Sequence, residues 1–430
     1  MKNKMYIAFI AIAIILLAAA GCGKSSQQQE KKKDGSGSSA GGAELIEKYT
    51  LTDPPKLSKN ILGAMGSSLV HIPGDPENIF YSSGDRGPNG KVTVNNEERR
   101  TFLLPDYTPT IYKIKVSNKK INILEEIKLK LPKGKDSVTG TAFITGLPNF
   151  KEYDKAPYDE KGEKVISYDP YGLDTEGIAY NSKDKTFWIS DEYRPSLLQV
   201  KKDGTILQRL VPAGTEKEFK KASLIPVKGT LPAVLTKRMD NRGFEGVSIT
   251  PDGRYLFTIT QSALKNPDED SRIGRLLKID LNTAKVAAEY VYTGEDGKAL
   301  DTDQKDIGVS DLIAMDEKTL LVDERDSEAG KKAKLKKIYK VSLKEATNVL
   351  GKEEYNGKTL EQLKPEGLKG AGITAASKKE VLDPLKFGFP YEKIEGITLV
   401  DSKKLAIIND SDFGVDDPKV KTVLWLFRLP

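Results

Sequence analysis

The sequence predicts an all-β fold, a β-propeller of six blades carrying loop and helical insertions. Three observations predict it. Short runs of β-formers recur in pairs, each pair joined by a turn. An acidic or polar residue stands near both outer ends of each pair. No long amphipathic helical pattern competes with the strands.

Residues 1–21 read as an export signal: Lys2 and Lys4 form a positive start, and Ile7 to Ala20 is an apolar run too short for a membrane span. The run ends in Ala19-Ala20-Gly21-Cys22, which resembles a bacterial lipobox and makes Cys22 the expected lipidation site. Residues 22–43 are Gly, Ser and Lys-rich, so they form an anchor and tether with nothing to bury. The folded domain is expected over 44–430, on the extracytoplasmic face, held to the membrane by the lipid alone.

The first unit is the weakest. Ser67-Ser68-Leu69-Val70 passes through a Gly74–Asn78 loop to Ile79-Phe80-Tyr81 and Asp85-Arg86. Four clearer units follow. Glu176-Gly177-Ile178-Ala179-Tyr180 turns at Ser182–Lys185 and returns through Thr186-Phe187-Trp188-Ile189-Ser190 to Asp191-Glu192. Glu245-Gly246-Val247-Ser248-Ile249 turns at Pro251-Asp252-Gly253-Arg254 and returns through Tyr255–Ile259 to Gln261. Asp311-Leu312-Ile313-Ala314 turns at Asp316–Thr319 and returns to Asp323-Glu324-Arg325-Asp326. Glu395-Gly396-Ile397-Thr398-Leu399 turns at Asp401–Lys404 and returns through Leu405–Ile408 to Asn409-Asp410-Ser411-Asp412. Further strand-like runs, such as 110–116 with 120–124 and 275–279 with 286–292, complete the blades. Five units are visible. The gap from 67 to 176 has room for a degenerate sixth, with five or seven blades also compatible. Insertions near 136–170, 213–240 and 346–390 form loops over one face, the last with helix-like stretches at Leu360–Leu363 and Lys378–Leu382.

Residues placed symmetrically about a tight turn lie side by side on antiparallel strands. The midpoints of Glu176 and Asp191, Glu245 and Gln261, Asp311 and Glu324, and Glu395 and Asp410 all fall within their turns. Each pair is therefore expected to meet at the hairpin end opposite its turn. Radial repetition would gather these ends into a ring of carboxylates around a central channel.

Composition limits the chemistry. The chain has 430 residues, 68 Lys+Arg, 62 Asp+Glu, one Cys and one His. One Cys excludes an intrachain disulfide and multi-cysteine metal sites, and one His excludes two-histidine metal motifs. His71 lies on a strand of the weakest unit and reads as a packed residue. Trp188 and Trp425 read as core. The net charge of +6 is spread over both signs, so no nucleic-acid partner is expected. Chemistry must rest on carboxylates, cations, hydroxyls and bound ions.

Seven segments carry a family resemblance: SGDRGPNG (83–90), GLDTEGIA (172–179), WISDEYRPS (188–196), NRGFEGVSITPDGRYLF (241–257), VDERD (322–326), KIEGITL (393–399) and NDSDFG (409–414). In order and number they resemble the phytase-like family, also described as esterase-like activity of phytase. The resemblance spans about residues 60–430 and implies a propeller whose Glu and Asp residues form a hydrolytic site for phosphoesters.

The expected metal ligands are Glu176, Asp191, Glu192, Glu245, Glu324, Glu395 and Asp410, with Ca²⁺ as the ion because calcium takes six to eight oxygens in irregular geometry. Glu176, Asp191, Glu245 and Glu395, with Arg242 and Arg325, are the expected catalytic set. Arg86 and Arg194 also stand beside acidic motifs and offer bidentate contacts to phosphate. The competing structural role for each acid is capping of loop N–H groups or a plain ion pair. The expected function is hydrolysis of a phosphorylated small molecule by a monomer. The alternative is a non-enzymatic propeller binding a ligand, glycan or protein on the same rim.

Overall fold

A computed structural model describes residues 39–40, 42–267, 270–415 and 417–430. The expected signal 1–21, Cys22 and most of the tether lie outside the described residues. Ser39–Ala40 already pairs with Ala43–Glu44, ahead of the boundary expected at residue 44. Among the described residues no helix is long and apolar enough to cross a membrane.

The chain is mostly β, and several of its strands are buried on both faces. Tyr255–Thr260 and Thr186–Asp191 are buried at every position. Period-two alternation explains this, because successive side chains enter different cores. Phe257 and Ile259 pack with Leu312, Leu320 and Val322, whereas Leu256 packs with Trp188, Leu197 and Leu210. Leu405 and Ile407 join Leu321 and Ile338, whereas Ala406 and Ile408 join Phe80, Tyr112 and Ile114. Each sheet is thus glued to the one before it and the one after it.

The sheets are antiparallel meanders. Residues 175–181, 186–191, 196–201 and 206–212 follow one another in one sheet, with 227–231 added in parallel at its edge. Residues 244–249, 255–260, 273–280 and 285–293 form the next, and 308–314, 319–325, 336–342 and 377–382 the one after. The largest sheet joins two meanders edge to edge. One contains 396–399, 404–408, 423–428 and the N-terminal strand 43–51, and the other contains 79–83, 110–117 and 120–128. Their junction is a short parallel contact, Thr50 beside Lys120 and Leu51 beside Ile121.

The expected sixth unit between 67 and 176 is not a further meander. That stretch holds an inserted hairpin, 89–94 with 97–102, extended by Pro157–Tyr158. The expected helix at Leu360 is present as Leu360–Leu368, capped by Thr359 and Gln362. Lys378–Leu382, expected as helix-like, is instead part of an edge strand, with Lys340 beside Lys379 and Tyr339 beside Glu380. Pairing with a waiting edge overrides local propensity there.

The first strand of each meander lies against the inner backbone of the next, and glycine permits it. At Gly396 that backbone is the segment at Ser68, which is not a strand and pairs with 79–83 through an isolated Val70–Tyr81 bridge. A Cβ on Gly177 would lie 2.6 Å from the Val247 nitrogen. On Gly246 it would lie 2.6 Å from the Leu312 nitrogen, and on Gly396 2.5 Å from the Ser68 carbonyl carbon. Asp311 Oδ2 accepts the Ile397 N–H at 2.8 Å, and Thr175 Oγ1 donates to the Gly84 carbonyl at 2.6 Å. These contacts close a circuit of innermost strands. Gly246→Ala should therefore cost about 1–3 kcal/mol by overpacking against backbone. Gly370→Ala, where no atom lies within 4 Å of the new Cβ, should be close to neutral. Chemical denaturation of both variants checks this.

Candidate functional site

Two of the three Glu-Gly pairs that open hairpins are β-bulges. The register between 175–181 and 186–191 is regular from Asn181 to Ile178, then slips, so Glu176 and Gly177 together oppose Ser190. The same slip places Glu245 and Gly246 opposite Ile259. A bulge re-aims the side chain it carries. This corrects the expected pairings. Asp191 stands opposite Thr175 rather than Glu176, and Asp311 opposite Asp323 rather than Glu324. Gln261 still reaches its partner, donating from Nε2 to Glu245 Oε1.

A cavity of about 620 Å³ opens at this end of the hairpins. Glu176, Glu192, Glu245 and Glu395 line it, with Arg242 and Arg325. Asp410 lies at its side, in a group with Asp85 and Asp412 whose carboxylate oxygens fall within 4.8 Å of one another. A second such group is Asp174, Glu176 and Glu192.

Two expected members stand elsewhere. Asp191 is fully buried and spent on structure. It accepts the Asp174 N–H at 3.0 Å, the Ser196 hydroxyl at 2.8 Å and an ion pair from Arg209. Glu324 accepts from the Tyr292 hydroxyl, Lys378 and the Glu295 N–H, away from the cavity lining. Arg194 pairs with Glu218 at 2.8 Å and lies over Tyr153. His71 is buried, with Nδ1 2.9 Å from the Ile79 carbonyl, and Trp188 and Trp425 are core.

Cations knit the site. Arg86 meets Asp174, Glu192 at 3.1 Å and Asp85 at 3.3 Å. Burial opposes its charge, but Asp174 and its other partners raise the guanidinium well above the usual range. Arg325 Nη2 donates to Glu395 Oε1 at 2.6 Å. Burial works against the charge on Asp412, yet Lys393 at 2.7 Å holds that carboxyl below the ordinary range.

At other acids burial outweighs the cations nearby. Burial, then Glu192 and Glu395, raise Glu245 well above its usual range. Burial, then Glu245 and Asp174, do the same for Glu176. Burial and Asp412 raise Asp410. Glu192 Oε1, Glu245 Oε2 and Asp410 Oδ2 are buried without a hydrogen-bond partner among the described residues. All-oxygen donors with unused lone pairs fit a hard divalent cation.

Asp174, Asp412, Lys393 and Arg100, a cavity-lining residue on the inserted strand 97–102, escape the sequence reading. Asp174 and Asp412 lie in GLDTEGIA and NDSDFG, two residues from Glu176 and Asp410, where strand alternation or a local turn returns them to the same side. Lys393 was signalled only by its place before Glu395 in KIEG.

Residues 67–413 match the phytase-like family, described as esterase-like activity of phytase, and the chain belongs to that family. An uncharacterized secreted protein of Arthroderma benhamiae is 31% identical over 268 residues, covering 54% of this chain. The match spans 52% of that relative, about half its length. The PQQ-bound aldose sugar dehydrogenase of Streptomyces coelicolor is 12% identical, with TM-score 0.39, over 92% of this chain and 100% of its own. The hydrazine synthase of Kuenenia stuttgartiensis is 10% identical, with TM-score 0.37, over 83% and 80%.

Two outcomes follow from the burial of these acids. Glu245 and Glu176 have folded pKa values raised above the ordinary 4.5. The folded state then binds more protons than the unfolded state, so stability is full below 4.5 and falls as pH rises toward the folded values. In chelator, denaturant unfolding should show this decline, and Glu245→Gln should flatten it. An unchanged slope would refute the assignment. Asp191→Ala leaves Arg209 buried and unpaired and should cost about 3–5 kcal/mol by the same measurement.

Proposed function

We propose that this chain is an extracytoplasmic phosphoester hydrolase that works in the cavity at the inner ends of its hairpins. The blades number five in this reading, one for each meander around the circuit of innermost strands. The observation that carries the function is the convergence, in one cavity, of desolvated carboxylates with unused oxygens and guanidinium groups. Family membership supports the phosphoester class. The secreted relative and the apolar run before Cys22 support export, with lipid anchoring at Cys22.

Asp174, Glu176 and Glu192 would hold one Ca²⁺ ion, and Asp85, Asp410 and Asp412 are the second set of candidate ligands. Bound calcium would neutralise substrate phosphate and acidify a water. The chain's own groups do the rest. Glu245, whose proton affinity burial raises, presents Oε2 as the proton donor to the leaving oxygen. Gln261 fixes the other oxygen of that carboxyl. Arg242 faces the same cavity and orients the phosphate oxygens. Arg325 fixes Glu395. The substrate is a phosphorylated small molecule, and the protein acts as a monomer.

Assays of phosphomonoesters and phosphodiesters, with calcium and with chelator, test this. Turnover should require calcium, and Glu176→Gln and Glu245→Gln should each lower kcat by about 100-fold or more. Calcium should also raise the melting temperature of the wild type. Binding of calcium without turnover of any phosphoester would leave a ligand-binding propeller instead. Full hydrolytic activity in Arg242→Ala would favour a hydrolase of uncharged esters.

A further inference from the structure

We infer that Arg100 and Arg242 form the oxyanion grip of this cavity, and that Arg100 reaches it from the inserted hairpin rather than from any repeated unit. The inference rests on the hydrolase reading above and names the groups that recognise its substrate.

Seven cationic side chains line the cavity, and five already have carboxylate partners. Arg86, Arg325 and Lys393 are tied to the acids described above. Lys91 pairs with Glu98 at 3.2 Å, and Lys155 with Asp240 at 2.7 Å. Arg100 and Arg242 have no ion pair among the described residues. Arg100 Nη1 donates to Asn89 Oδ1, and Arg242 Nη2 donates to the Lys305 carbonyl. A guanidinium carries five N–H donors and keeps its charge at any physiological pH, so most of each fork is left without a partner. Burial already pulls the Arg242 guanidinium below its usual range. A partly desolvated cation with free donors is stabilised by an anion that offers two oxygens at once.

The hairpin is built to hold Arg100 there. Asn95 and Asn96 both adopt positive φ, 52° and 65°, the conformation of a two-residue hairpin turn. Pairing then runs without a slip from Val94 beside Glu97 to Asn89 beside Phe102. Strand alternation separates the adjacent arginines. Arg99 turns to Glu97, the Gly162 carbonyl and the Tyr158 ring, and Arg100 turns to the cavity. Pairing with Pro157 fixes the outer edge of the strand at Arg100 itself.

Titration calorimetry of the full chain with inorganic phosphate tests the pair, alongside phosphoester kinetics. Arg100→Gln and Arg242→Gln should each weaken phosphate binding about tenfold, and the double variant should bind none measurably. Arg100→Lys should fall between wild type and Arg100→Gln, because charge is kept and the fork is lost. Arg254→Gln, a surface control outside the cavity, should bind as wild type does. Thermal melts within a degree or two of wild type show that Arg100→Gln folds. KM should rise about tenfold in Arg100→Gln with kcat within about threefold. Wild-type phosphate affinity in Arg100→Gln, or no phosphate binding by the wild type, overturns the grip. Arg100-dependent phosphate binding without turnover leaves the grip standing and removes the hydrolase. Turnover with an unchanged KM in Arg100→Gln does the reverse.

Discussion

The close approach of the innermost strands governs this molecule. Gly177, Gly246 and Gly396 each leave room for the backbone of the next meander, at distances no side chain tolerates. Two of these glycines are the second residue of a bulge, and the glutamate before each is the first. Packing and site placement are therefore one device. The residue that lets the strands crowd together is also what turns its neighbour's carboxylate into the cavity. Period-two alternation then fills the wedge between each pair of sheets, so every core depends on the spacing set at the centre.

Crowding the strands also crowds the charges. Taking carboxylates out of water raises their proton affinity, and neighbouring carboxylates raise it further. The structure answers in two ways. At Asp191, Asp326 and Glu395 a cation is locked to the acid, which holds the fold. At Glu245 and Asp410 one oxygen is left without a hydrogen-bond partner. A buried charge is stable only with a partner, so those oxygens could take up a proton or an external ion.

How far the sequence could reveal this differs by feature. The hairpins were legible because runs of Val, Ile, Phe and Tyr broken by Asp-Gly or Asp-Lys turns carry a local signal. Glu176, Glu192, Glu245 and Glu395 were legible through their recurrence. The distinction between Glu192 and its neighbour Asp191 was not. It depends on Arg209, which reaches Asp191 only because the next two strands fold back beside it. Reading symmetry about each turn gave the right end of the hairpin but missed the one-residue slip, since a bulge has no fixed local pattern beyond its glycine. Lys378–Leu382 misled for a similar reason: its strand conformation is supplied by the edge it joins. Arg100 was invisible because it belongs to no repeat.

The pairing of the N-terminal strand 43–51 with 423–428 has a consequence for how the chain comes to fold. Glu44 lies beside Arg428, and Thr50 beside Val423. The sheet that contains both cannot be completed until residues 423–428 have been made. The earlier meanders can form in order during synthesis, each from contacts local in sequence. The final step joins strands from opposite ends of the domain, and contacts so distant in sequence slow folding. Until then the edges of residues 404–408 and 43–51 stand open, with unpaired N–H and C=O groups. The time spent in that state adds to the protein's exposure to misassembly.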